Sequence, residues 1–134
     1  MTPNENLHYA IGELAYAMAC SDGILQKEER EKFQKIVAAE IRLHDADFDV
    51  SDVIFKILEK DKADPQMAYD SAMRQIKLNS HYLSPQLKQT FIKVIEKVAM
   101  AFPPSTLEEI EFVNKFKEDI EPIKGDPIYY EKKK

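Results

Sequence analysis

Ala17-Met18-Ala19-Cys20-Ser21-Asp22-Gly23-Ile24-Leu25-Gln26-Lys27-Glu28-Glu29 is the stretch whose reading decides the fold. An apolar helical pattern runs into it, breaks at Asp22-Gly23, and a second helical pattern opens on paired glutamates. Glycine reaches the left-handed backbone that ends a helix without steric cost, and an aspartate beside it bonds to local backbone. Glu28 and Glu29 then fall in the first turn of the next helix, where the positive end of its dipole favours acids. The segment reads as a tight junction between two helices.

Upstream, Leu7, Ile11, Leu14, Ala15 and Met18 recur at helical spacing and predict a helix from about Asn6 to Cys20 with one buried stripe. Downstream, a helix from about Lys27 to Leu43 buries Phe33, Ile36, Val37 and Ile41, while Glu28/Lys32 and Glu31/Lys35 pair on its wet side. Ser51 is placed to cap a short third helix with Val53, Ile54, Ile57 and Leu58 inward. Asp64-Pro65 and Ser84-Pro85 are start signals for a fourth and a fifth helix, each a cap followed by proline at the first helical position. The fourth buries Ala68, Tyr69, Ala72, Met73 and Ile76, and the fifth Leu87, Phe91, Val94, Ile95 and Val98. Pro103-Pro104 ends the fifth helix near Phe102, and Ser105-Thr106-Leu107-Glu108 is a capping box for a sixth burying Ile110, Val113, Phe116 and Ile120. Residues 1–122 thus form one helical domain, followed by an irregular tail from 123 to 134.

Composition agrees with an all-α bundle. A chain of 134 residues can bury a core without staples, and 3 glycines leave little room for the turns of a β-protein. No apolar run approaches the roughly 20 residues that span a bilayer, and Met1-Thr2-Pro3-Asn4-Glu5 lacks the basic start of a leader, so the expected location is cytoplasmic. A lone Cys20, which can form no internal disulfide, fits that compartment and reads as a small buried packer. The formal charge of −5 and scattered bases supply no positive face for nucleic acid, and Lys132-Lys133-Lys134 reads as a solvated end. Met67, Met73 and Met100 sit at helical positions as core fillers.

A shift of 80 positions lays Ile11, Leu14, Ala15 and Met18 on Phe91, Val94, Ile95 and Val98, and Glu28, Phe33 and Ile36 on Glu108, Val113 and Phe116. Two similar helical hairpins therefore flank the middle helices. Asp22-Gly23 falls on Phe102-Pro103, so the acidic turn occurs once.

The run Ala15-Tyr16-Ala17-Met18-Ala19-Cys20-Ser21-Asp22-Gly23-Ile24-Leu25-Gln26-Lys27-Glu28 resembles the tellurite-resistance TerB-like family. The resemblance covers the first two helices well and the final hairpin more loosely. It implies a compact bundle of about six to eight helices with two similar halves. It also implies a link to tellurite and other chemical stress, and acidic surface positions associated with metal cations. The positions matched to these are Asp22 and Glu28. Phe102-Pro103-Pro104 departs from the family where its second acidic turn is expected, which leaves any such site one-sided.

Read physically, Asp22, Glu28 and Glu29 are a candidate cation site, and equally a helix end that needs no ligand. Carboxylate oxygens suit calcium or magnesium better than zinc. An EF-hand is excluded: with Gly23 as its sixth position and Glu29 as its twelfth, the first and third would be Met18 and Cys20. Asp45, Asp47, Asp49 and Asp52 mimic the start of a calcium loop, but Val50 and Lys56 stand where glycine and the bidentate acid belong. A helix from Glu28 to Leu43 rises roughly 22 Å, so this cluster lies at the opposite end from Asp22. That geometry brings His8 toward His44 and Asp45, a second candidate pairing of the kind that suits zinc or nickel. His81 beside Tyr82 has no nucleophile to serve, and no phosphate loop, serine elbow or paired-cysteine motif occurs. The expectation is a non-catalytic module that binds a divalent cation at the Asp22 turn. The alternative is a protein-binding bundle with a structural turn, contacting its partner through Tyr129 and Tyr130.

Overall fold

The computed structural model describes residues 2–20, 31, 35, 39, 49–100 and 107–130. Six α-helices are described in full: α1 (Pro3–Ala19), α2 (Asp49–Lys60), α3 (Pro65–Leu78), α4 (Pro85–Met100), α5 (Leu107–Ile120) and α6 (Pro127–Tyr130), with a 3-10 turn at Ser80–Tyr82. Glu31, Lys35 and Ala39 are also helical, and all three are exposed, in keeping with the wet face predicted for that region. No strand occurs among the described residues, and none of their helices is long and apolar enough to cross a membrane. The protein is an all-α bundle.

Helix α1 begins earlier than its apolar pattern suggests. Thr2 accepts the Glu5 amide through its hydroxyl at 3.1 Å, and the Glu5 carboxylate accepts the Thr2 amide at 2.9 Å, a capping box with Pro3 at the first helical position. The start signals at Asp64 and Ser84 operate as expected. Asp64 accepts the Met67 amide at 3.0 Å, and Ser84 accepts that of Leu87 at 3.0 Å. Ser51 is not a cap, because α2 already begins at Asp49. The residues predicted to cap α5 lie outside the described ones.

The largest departure from the sequence reading is the surroundings of α1. Leu7, Ile11, Leu14, Ala15 and Met18 are buried as predicted, but so is every position from Ala10 to Ala19. Gly12, Glu13 and Tyr16 fall on the side opposite the apolar stripe at 100° per residue, and all three are enclosed. The reason is topological: α2, α3, α4 and α5 all pack on α1. A helix covered on all sides has no wet face. Its alanines and glycine leave room for the neighbouring helices. Tyr16 reaches past α2, donating its hydroxyl to the Ala63 carbonyl at 2.7 Å, with its ring edge-on to Phe55 at 6.0 Å.

The other helices show smaller rotations. All five residues predicted inward on α3 are buried. In α2, Ile54 and Phe55 are buried while Val53 and Ile57 face outward, because Phe55 takes the place against Tyr16. In α5 the buried stripe passes through Glu109, Phe116 and Ile120, leaving Ile110 half-exposed. Of the three methionines read as core, only Met73 is buried, whereas Met67 and Met100 lie exposed.

Side-chain bonds fix the ends of the bundle. Asn6 on α1 donates to Asn79, beyond α3, at 3.2 Å. The Lys88 ammonium, in the first turn of α4, donates to the Glu121 and Ile123 carbonyls at 2.8 and 3.0 Å and so closes the C-terminal end of α5. Where the sequence predicts an irregular tail, Pro127–Tyr130 forms a single helical turn on Ser80–Tyr82, with the Asp126 amide donating to the His81 carbonyl at 3.0 Å.

Two substitutions check these points. Gly12→Leu, harmless on a solvent-facing helix surface, is expected to destabilise the protein by about 2–3 kcal/mol in urea unfolding through overpacking. Lys62 ends α2 with φ 50°, in left-handed backbone. Lys62→Gly is expected to raise stability by about 0.5 kcal/mol, the relief of left-handed strain less the extra freedom of unfolded glycine.

Candidate functional site

The C-terminal end of α1 is followed in the sequence by Asp22-Gly23. Asp22, Glu28 and Glu29, like His44 and Asp45, lie outside the described residues. The part of this end that is described forms a cleft of about 400 Å³ bounded by the last turn of α1, the start of α3 and the outer face of α5. Cys20, two residues ahead of Asp22, lines it. The cysteine is therefore partly exposed rather than the buried packer predicted, because it stands on the C-cap of α1, one residue past the last enclosed position, Ala19.

The floor of the cleft is apolar, made by Ala17, Pro65 and Phe112, and its rim carries the carboxylates of Asp64, Glu108 and Glu111. Asp64 is occupied in capping α3. Glu108 and Glu111 are exposed on α5. Glu108 is the residue that the 80-position shift pairs with Glu28, so the counterpart of one predicted acid lines the cleft at the end of α1. Among the described residues of the rim the cation is Lys115, whose ammonium sits 4.5 Å from the centre of the Tyr69 ring.

Tyr69 anchors the wall between α3 and α5. Its hydroxyl donates to Asp119 Oδ2 at 2.5 Å, and Phe112 meets its ring edge-on at 5.2 Å. Burial, then the bond to Asp119, push the phenol far above its ordinary range. Burial likewise pushes the Tyr16 phenol up to about 12. Both are neutral hydrogen-bond donors at physiological pH. Among the described residues no group of three or more His, Cys, Asp or Glu side chains is arranged to hold a metal ion.

His8 is described, whereas His44 and Asp45, the residues it was expected to meet, are not. It is fully buried on the first turns of α1, and its Nδ1 lies 2.7 Å from the Asn4 carbonyl, which can only accept, so Nδ1 carries the proton. Tyr129, a predicted partner contact, is half-exposed, and its ring packs on His81 at 5.2 Å and on Tyr82 at 5.3 Å. The side chain of Tyr130 lies outside the described residues.

Three groups escape a reading of the sequence: Glu13, buried in α1, the Tyr69–Asp119 bond, and Arg74 on α3. Glu13 left a signal, as the single charged residue between Tyr9 and Cys20. The other two depend on helices that only the fold brings together. Comparison with protein-family models, curated proteins and solved structures finds no match to this chain.

Tyr69→Phe is expected to destabilise the protein by about 1–2 kcal/mol, measured by denaturant unfolding, since it strips a part-buried carboxylate of its donor.

Proposed function

We propose that the chain is a non-catalytic, TerB-like module of the cytoplasm. It binds a divalent cation at the α1 end, through Asp22 with Glu28 and Glu29, and links tellurite or other chemical stress to a partner protein. The observation that carries the reading is the acid-rimmed cleft at that end. Cys20 lines it from the helix that leads to Asp22, and Glu108 and Glu111 line it from α5. Among the described residues of the rim, Asp64, Glu108 and Glu111 outnumber Lys115, a balance that supports a cation there. Calcium or magnesium fits an oxygen-only donor set, and zinc fits less well.

A second reading, a bundle that works by protein contact alone, is favoured by the apolar surface where α4 ends and α5 begins. Met100 and Leu107 are 74% and 66% exposed there. Met100 lines a groove of about 200 Å³ there with Ala99, Ile110 and Val113, which Glu96 and Glu109 also border. Apolar groups that remain in water after folding are a common mark of a binding surface.

A titration with calcium, magnesium and zinc, followed by thermal melting and amide NMR, separates the two. Cation binding is expected to add about 1.4 kcal/mol of stability at ten times the dissociation constant, with amide shifts around Cys20 and Asp22 that vanish in Asp22→Asn. Unchanged melting and unchanged amides at millimolar cation would leave the protein-contact reading in possession.

A further inference from the structure

We draw no further inference here: the strongest candidate, the apolar groove between the end of α4 and the start of α5 lined by Met100, Ile110 and Val113, carries nothing beyond the protein-contact reading already given, because Glu96 on its border is paired with Lys117 at 2.9 Å and nothing in the structure shows what covers it.

Discussion

Everything in this bundle depends on the enclosure of α1. Four other helices find their common neighbour in it, and its buried side chains run from one end of the core to the other. Enclosing a helix on all sides is a demanding constraint, because every side chain must suit a dry environment and each neighbour must come close enough to exclude water. The composition of α1 meets it with alanines and one glycine between Leu7, Ile11, Leu14 and Met18. Tyr16 answers the polar requirement by carrying its hydroxyl out to the Ala63 carbonyl, so that a ring within the core leaves no donor unsatisfied.

Helix identity was legible wherever a local interaction sets it. Asp64-Pro65 and Ser84-Pro85 name their helix starts because cap and proline act within a single turn. The same logic lies in Thr2-Pro3 with Glu5, a start the apolar spacing alone missed by one turn. Burial was less legible, for a physical reason. Periodicity finds the face that must be buried, but it cannot say how much of the remaining circumference other helices will cover. Gly12 and Glu13 look like the wet side of an amphipathic helix until α3 is laid against them. On α5, Glu109 takes an inward place that a hydrophobic pattern assigns to Ile110.

The candidate site divides in the same way. Asp22, Glu28 and Glu29 could be singled out because turn chemistry and helix-end electrostatics are written in consecutive residues. The cleft at the described end of α1 was beyond sequence reasoning, since Cys20, Asp64 and Glu111 meet only through packing of helices far apart in the chain. His8 shows the converse. Its position near the start of α1 is local information, whereas its burial and its bond to the Asn4 carbonyl follow from what surrounds that end.

The central place of α1 also has a consequence for how the chain comes into being. It precedes in the sequence the described helices that enclose it, and is synthesised before them. At ribosomal rates of about 5–20 residues per second, α5 arrives on the order of ten seconds later. During that interval the segment Ala10–Ala19, ten positions that all end up sheltered, stands in water. Its single charge, Glu13, has an ordinary carboxyl there and is ionised. The group that is hardest to accommodate in the finished bundle is thus the one that water holds best while the helix is still uncovered.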